Sequence, residues 1–175
     1  MKRIALSFVL LVALVTVACE KIDDLLTFYI DEDETFTIDS SFPIGRLVPI
    51  TPFTVPTNSE ETFKNNQTRA ELVKDVSLNK LTLVITDPQQ QNFDFLDEIE
   101  LYISSENQPE VKIAFLEEVP MGATQLELKS TNAKLDEYIK GESYTIRTKA
   151  ALRKPVSQDI TIKADMRFKV TADPL

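Results

Sequence analysis

The sequence predicts an all-β protein, namely an antiparallel β-sandwich of about seven to nine strands with one or two short connecting helices. Stretches in which apolar and polar residues alternate recur along the chain, and the longest covers residues 160–172. Such alternation is typical of strands with one buried face. Turn residues separate these stretches, and neither helical pattern is long. Strands joined by short turns favour two packed antiparallel sheets.

The first strand-forming region contains an acidic interruption. Residues 27–30 and 35–38 are rich in β-branched and aromatic side chains, which suit a half-buried pleated surface. Between them, residues 31–34 read Asp-Glu-Asp-Glu. This run lacks the alternating ligands and the turn glycine of a calcium loop. We therefore expect a solvated hairpin turn or a sheet edge here.

The next segment, residues 46–55, contains or adjoins three prolines. Because proline removes ladder donors, this segment is predicted to be an edge strand or an extended crossing. Residues 58–76 then form the first helical pattern, in which Asn58 or Ser59 can act as the N-cap. Two adjacent asparagines weaken its middle, so we expect two short pieces, the second near residues 70–76.

Alternation predicts five further strands before the last one, and a second helix between the fourth and fifth. Residues 87–92 form a polar loop, and residues 132–141 are the best helical pattern in the chain. There Asn132 is the expected cap, Leu135 and Ile139 share one face, and a glycine follows the end. The five strands cover residues 78–86, 97–105, 111–115, 126–128 and 144–152.

The final strand carries the clearest pattern, with seven period-two repeats. The cysteine and tryptophan framework of immunoglobulin domains is absent, so the fold is predicted to be immunoglobulin-like in architecture alone. The layout, which ends in a long terminal strand, also resembles late-embryogenesis-abundant-like sandwich domains. The residues predicted to face the core are Ile160, Ile162, Ala164, Met166, Phe168, Val170 and Ala172.

The first nineteen residues have the pattern of a secretory signal peptide. Lys2 and Arg3 give a positive start, an apolar run covers residues 4–18, and the run ends at Cys19, the only cysteine. The run is shorter than the roughly 20 residues that span a bilayer as a helix. A plain signal peptide with an incidental cysteine, or an uncleaved anchor helix, is the alternative interpretation.

A small residue followed by a lone cysteine resembles the lipobox of bacterial lipoproteins, in which the peptidase cuts before the cysteine and its sulfur carries diacylglycerol. The resemblance implies a signal peptide at residues 1–18, a lipidated Cys19 with an acidic tether at residues 19–26, and a single β-sandwich domain at residues 27–175. Residues 21–24 resemble the lysine-plus-acidic tether of Bacteroidetes surface lipoproteins. We expect outer-membrane anchoring through this lipid, with the protein either periplasm-facing or surface-exposed.

Composition disfavours several functional classes. The net charge is −9, and loss of Lys2 and Arg3 with the signal peptide makes it −11. The negative charge of the chain repels nucleic acid and anionic headgroups, which argues against both as partners. Histidine is absent and the three glycines stand singly, which excludes histidine-based nucleophilic catalysis and glycine-rich phosphate loops. A zinc site would need carboxylates alone. We therefore expect no enzymatic activity, no cofactor and no metal site.

Five residues are candidates for ligand binding. Phe93 and Phe95 adjoin the glutamine-rich loop, with Tyr102 nearby, and together they suggest an aromatic platform for a sugar. Core packing is the alternative for the phenylalanines. Arg147 and Arg167 lie in the last two predicted strands, which would present a basic stripe if they pair. The alternative is an ordinary solvated face with cross-strand charge pairs.

These features favour a non-enzymatic, lipid-anchored envelope protein with a binding or structural role and an unknown protein or glycan ligand. A carbohydrate-capture accessory or a pilus-type subunit at the cell surface is the alternative. A hydrolase that uses carboxylates alone is a further alternative. It would need two carboxyl groups about 5–10 Å apart across a cleft, and no pair in the sequence is set apart from ordinary surface acids.

Overall fold

Two antiparallel β-sheets pack against each other in the computed structural model, which describes residues 27–173. The predicted all-β sandwich is confirmed, with ten strands in the described residues, two of them only two residues long. The predictions for residues 1–26, including lipidation of Cys19, lie outside the described residues. The strands are β1 (Thr27–Ile38), β2 (Val48–Pro49), β3 (Phe53–Pro56), β4 (Val73–Asp87), β5 (Leu96–Ser105), β6 (Gln108–Leu116), β7 (Gln125–Glu127), β8 (Lys129–Ser130), β9 (Ser143–Leu152) and β10 (Ile160–Ala172).

The four-stranded sheet has the order β1-β10-β4-β7. β10 pairs with β1 along one side and with β4 along the other. All seven of its residues that were predicted to face the core are buried, Phe168 completely, and the neighbouring Lys169 is exposed. The phase of the clearest sequence pattern is therefore confirmed, because a strand with neighbours on both sides and a second sheet above it buries one face.

β1 is one continuous strand where the sequence indicated two. Residues 31–34 lie in its middle and pair in register with residues 164–167 of β10. The hairpin-turn prediction is wrong because β10 supplies a partner for all twelve residues of β1, and this pairing outweighs the local turn preference of acidic residues. The alternative, a sheet edge, is confirmed, since within residues 27–173 β1 has a neighbour on one side only.

The second sheet has six strands in the order β2-β9-β5-β6-β8, and β3 also pairs with β9. β9 and β5 lie in its middle and pair with each other, and both are strands, as their alternating patterns predict. The short strands β2 and β3 run along one edge, which confirms an edge assignment for the proline-containing segment 46–55. The apolar inner faces of the two sheets meet in one continuous hydrophobic cluster.

The first helical pattern is confirmed in its first half only. Helix α1 covers Ser59–Asn65, with two glutamates in its first turn. The second piece is a single 3₁₀ turn, Ala70–Leu72, after which β4 begins. The prediction of helix up to residue 76 is wrong because Val76 pairs with Val170 of β10, so a sheet partner takes the backbone groups that a helix would use.

The second helix is much shorter than the pattern at residues 132–141 predicts. Helix α2 covers Asp136–Ile139 only, and Asn132 has a φ of 56° and lies outside it, so the predicted cap is wrong. Leu135 and Ile139 are both buried, as expected. The Leu135 N–H donates to the Val76 carbonyl oxygen at 2.8 Å, and the Val76 N–H donates to the Asp136 carboxylate at 2.6 Å. These contacts with β4 hold the turn in place, and the Leu135 N–H, from which an Asn132 cap would accept, donates to Val76 instead.

The start of β1 and the end of β10 lie at the same end of the sandwich, because Thr27 pairs with Thr171. Any tether that precedes Thr27 therefore leaves from this end. None of the helices in residues 27–173 has the length and apolar character that crossing a membrane requires.

Candidate functional site

An organised group of polar side chains lies on the outer face of the six-stranded sheet, around Tyr102. Alternation along β5 turns Leu101 and Ile103 into the core and turns Glu100 and Tyr102 outward. Pairing with β9 places Lys149 opposite Glu100 and Arg147 opposite Tyr102. Pairing with β6 places Lys112 opposite Tyr102 on the other side. We call the outward side chains Glu100, Tyr102, Lys112, Arg147 and Lys149 the Tyr102 face.

Glu100 is the structural centre of the Tyr102 face. It is only 7% exposed although it points away from the core. The Tyr102 hydroxyl donates to one of its carboxylate oxygens at 2.6 Å, and the Lys112 ammonium donates to the other and forms a salt bridge with it. Because hydrogen bonds to a charged group are stronger than neutral ones, they hold all three side chains in place.

Hydrogen bonding and charge set the protonation states of this group. Burial acts to raise the pKa of Glu100, but hydrogen bonds from Lys112 and Tyr102, with the charges of Lys112 and Lys149, bring that pKa below its usual value. The hydrogen bond to Glu100 raises the pKa of Lys112. Burial, and then the carboxylate of Glu100, raise the pKa of Tyr102. At neutral pH the face therefore presents a carboxylate, a neutral phenol and an ammonium group.

Cations also contact the ring of Tyr102. The Lys149 Nζ lies 4.2 Å from the ring centroid, and the Lys112 Nζ lies 5.7 Å from it. Both distances fall within the range of cation–π attraction. Arg147 is exposed and pairs with Glu110 at 3.1 Å. The Tyr102 face therefore combines one aromatic ring with hydrogen-bonding groups of both charges.

Phe93 and Phe95 do not form a surface platform. They belong to a 3₁₀ turn, Phe93–Phe95, and their side chains are 0% and 1% exposed. The turn points them inward because the Asn92 side chain accepts from the Asp94 N–H, and the Phe93 N–H donates to the Ala123 carbonyl oxygen at 2.8 Å. Both residues are therefore part of the core, which was the alternative interpretation from the sequence.

Arg147 and Arg167 do not lie in one basic stripe. β9 belongs to the six-stranded sheet and β10 to the four-stranded sheet, so the two strands do not pair and the condition for the stripe fails. Arg167 forms a bidentate ion pair with Asp31 of β1, with N···O distances of 2.6 and 3.1 Å. Each arginine therefore lies among cross-strand charge pairs on its own sheet.

Of the five sequence candidates, Tyr102 and Arg147 come together on the Tyr102 face. Glu100, Lys112 and Lys149, which complete it, were not predicted as site residues. Their outward phase is readable from the alternation of each strand. Their proximity depends on β5 lying between β6 and β9, and no local pattern in the sequence specifies that order. Within residues 27–173, no group of three or more acidic side chains has an arrangement that could hold a metal ion.

Comparisons with known proteins add little to this description. No protein-family model matches the chain, and no curated protein matches it. A solved structure from Desmodium yellow mottle tymovirus aligns with 85% of this chain and 90% of its own, at 8% identity and a TM-score of 0.25. One from turnip yellow mosaic virus aligns with 85% of this chain and 84% of its own, at 10% identity and a TM-score of 0.29. Likeness at this level carries no argument about function.

Proposed function

We propose that this chain is a lipid-anchored protein of the bacterial outer membrane that acts by binding, without chemistry of its own. The sequence support is the basic start and apolar run that end at the lone Cys19. Thr27 follows Cys19 by eight positions, and a chain of that length spans at most about 29 Å. A lipid at Cys19 would therefore hold one end of the sandwich near the membrane and leave both outer sheet faces accessible.

The Tyr102 face is the observation that carries the binding role. Ligand sites use a few fixed polar groups to orient a ligand, and aromatic side chains to contact it. Here Glu100 is held by two donors, Tyr102 and Lys149 are partly exposed, and Arg147 is exposed beside its partner Glu110. These groups suit a ligand rich in hydroxyl groups, which supports carbohydrate capture as the form of binding.

A second candidate, a pilus-type subunit that assembles by strand addition, is favoured by one different observation. β1 is a twelve-residue edge strand, and exposed sheet edges accept further strands. The two candidates use different surfaces, because the Tyr102 face belongs to the six-stranded sheet and β1 to the four-stranded sheet.

Intact-mass analysis of protein extracted from bacterial membranes tests the anchor. The expected mature chain begins at Cys19 and carries a diacylglycerol adduct. A Cys19→Ser variant should be released into the soluble fraction or stay unprocessed. Recovery of unmodified protein that begins before Cys19 would contradict the lipoprotein assignment.

Glycan-array binding tests the Tyr102 face. Tyr102→Ala should weaken any glycan signal by at least about tenfold, the size expected for an aromatic residue at the centre of a binding site. Tyr29→Ala is the matched control, since Tyr29 is a half-exposed tyrosine on the other sheet. Equal loss in both variants would contradict this location. Turnover of generic glycosidase, esterase or peptidase substrates, abolished by changing one carboxylate in a folded protein, would contradict the binding role itself.

A further inference from the structure

The β1 edge differs from the other strand edges in the described part of the chain. β1 pairs with β10 through twelve consecutive residues without a register shift, and no other strand in residues 27–173 pairs with its opposite side. The other edge strands are short: β7 has three residues, β8 and β2 have two, and β3 has four. β2 and β3 also contain proline. Short strands and proline disfavour strand addition, and β1 has neither; its protection is inward-pointing charge, which disfavours partners that lack basic residues.

The middle of the β1 edge is acidic on both faces of its sheet. Asp31 and Asp33 are exposed on the outer face, where Arg167 and Lys163 pair with them at 2.6 and 3.6 Å. Glu32 and Glu34 alternate with these aspartates and share the inward phase of Ile30 and Phe36. Neither glutamate has an ion-pair partner within residues 27–173. The two faces therefore differ: the outward acids have basic partners, with Lys163 shared between Asp33 and Asp165, and the inward acids have none in the described residues.

The pKa shifts of Glu32 and Tyr144 are consistent with an uncompensated negative charge on the inward phase of β1. Burial raises the pKa of Glu32, and the neighbouring charges of Glu34 and Asp33 raise it further. Burial, with the charges of both glutamates, also raises the pKa of the Tyr144 hydroxyl, which has no hydrogen-bond partner in the described part of the chain. A cation between the two sheets at this edge would relieve these unfavourable interactions.

We propose that the β1 edge binds an extended, basic segment of another protein by β-strand addition. The segment has the pattern apolar-x-basic-x-basic-x-apolar. In this register its two cations face Glu32 and Glu34, and its apolar residues lie beside Ile30 and Phe36, because directly opposite residues of paired strands share a face. The pattern is the same in both directions, so parallel and antiparallel addition both satisfy it. This inference goes beyond carbohydrate capture at the Tyr102 face, because it uses the other sheet, and it names the kind of partner that the strand-addition candidate requires.

Charge argues against two other occupants. Pairing with β1 of a second copy, centred on residues 31–34, would place like charges opposite each other, which is unfavourable. The preceding residues 20–26 of the chain carry Glu20, Asp23 and Asp24 and meet the same repulsion. A basic strand avoids it and adds favourable cross-strand pairs.

Fluorescence anisotropy with the detergent-solubilised, full-length protein tests the proposal. The probe is the capped peptide Ile-Thr-Lys-Thr-Lys-Thr-Ile. The phase control, Ile-Lys-Thr-Thr-Thr-Lys-Ile, has the same composition but moves both lysines to the outward phase, and should bind about tenfold more weakly. Of two versions N-methylated on the odd-numbered or on the even-numbered residues, the one whose methyl groups replace the donors to β1 should not bind. Hydrogen exchange should slow in β1 when the probe is bound, and stay unchanged in β7.

Paired variants separate the edge from general charge attraction. Glu32→Gln with Glu34→Gln should weaken probe binding about tenfold, since it removes both cross-strand charge pairs. Glu60→Gln with Glu61→Gln, in the exposed first turn of α1, makes the same change in net charge and should leave binding unaltered. Circular dichroism checks that both proteins are folded.

Several results would overturn the proposal. One is that the folded wild type does not bind the probe at all. A second is that the Glu32/Glu34 and Glu60/Glu61 double variants lose probe affinity equally. A third is that the phase-control peptide binds the wild type as tightly as the probe does. Wild-type dimers that the probe does not dissociate would assign the edge to a second copy. Binding seen only after residues 20–26 are replaced by glycine and serine would assign it to that segment. The lipid adduct and the Tyr102-dependent signal are measured separately, so a failure here is distinguishable from failure of the proposed function.

Discussion

Replacing Phe168 with alanine should destabilise the protein more than almost any other single change in β10. The side chain is 0% exposed, and its ring meets that of Tyr144 edge to face with centroids 6.1 Å apart. Loss of a buried phenylalanine costs about 3–5 kcal/mol. Ile30 and Leu78 stand opposite Phe168 on the two neighbouring strands, so the surrounding backbone is fixed and the cavity collapses little. We therefore expect a cost in the upper half of that range.

Urea denaturation of a lipid-free protein, followed by circular dichroism, measures this cost. Lys169→Ala is the matched control, because Lys169 is the next residue on the same strand and is exposed. Its substitution should change the free energy of unfolding by no more than about 0.5 kcal/mol. Equal denaturation midpoints for the two variants would refute the assigned phase of β10 and its burial.

Two further substitutions test other parts of the fold. Lys112→Met should cost about 1 kcal/mol at neutral pH, since Lys112 is 37% exposed and solvent screens its pair with Glu100. Burial acts to raise the pKa of Glu100, but hydrogen bonds from Lys112 and Tyr102 bring it below its usual value. The stabilisation by this pair is therefore present above about pH 4.3 and is lost as the pH falls. When the free energy of unfolding is measured at decreasing pH, the Lys112→Met variant should lose less of it than the wild type does. Leu135→Ala should cost about 2–5 kcal/mol because Leu135 is fully buried, whereas the exposed neighbour Lys134→Ala should stay within about 0.5 kcal/mol in urea denaturation.

Strands that bury one face could be predicted from the sequence, because burial imposes an alternation that local reading detects. β10 is the clearest case, and Leu81, Leu83 and Ile85 on β4 are another, all three being buried as expected. The acidic run at residues 31–34 could not be placed, since its strand conformation depends on pairing with β10, more than a hundred residues away in sequence. The local preference of these acidic residues favours a turn, whereas pairing with β10 requires a strand, and the residues form a strand.

The candidate site was less predictable than the fold, for a related reason. Tyr102 and Arg147 could be recognised as outward residues, but they are neighbours only because β5 pairs with β9. Glu100 is nearly buried on an outer face because Tyr102 and Lys112 cover it, which no alternation pattern indicates. Phe93 adjoins a polar loop in sequence, yet its 3₁₀ turn directs it into the core. Contacts between strands decide all of these positions.

The inward-facing Glu32 on β1 should make stability depend on pH in the opposite direction from Glu100. Burial raises the pKa of Glu32 in the folded protein, and the charges of Glu34 and Asp33 raise it further. Below about pH 4.3 the carboxyl group is protonated in both the folded and the unfolded chain, so it imposes no penalty. As the pH rises through the window between the unfolded and the raised folded pKa, the unfolded state ionises first and the folded state loses stability.

Glu32→Gln should therefore make the protein more stable than the wild type at neutral pH, because glutamine carries no charge into this half-buried position. The difference should shrink as the pH falls and disappear well below about pH 4.3, where the wild-type carboxyl group is neutral in both the folded and the unfolded chain. Glu118→Gln, an exposed loop substitution with the same change in charge, should show no such trend. Urea midpoints measured across this pH range decide the matter. A Glu32→Gln variant that is less stable than the wild type at pH 7, with Glu118→Gln unchanged, would mean that the ionised Glu32 has a favourable partner and that the negative charge on the inward phase of β1 is already compensated.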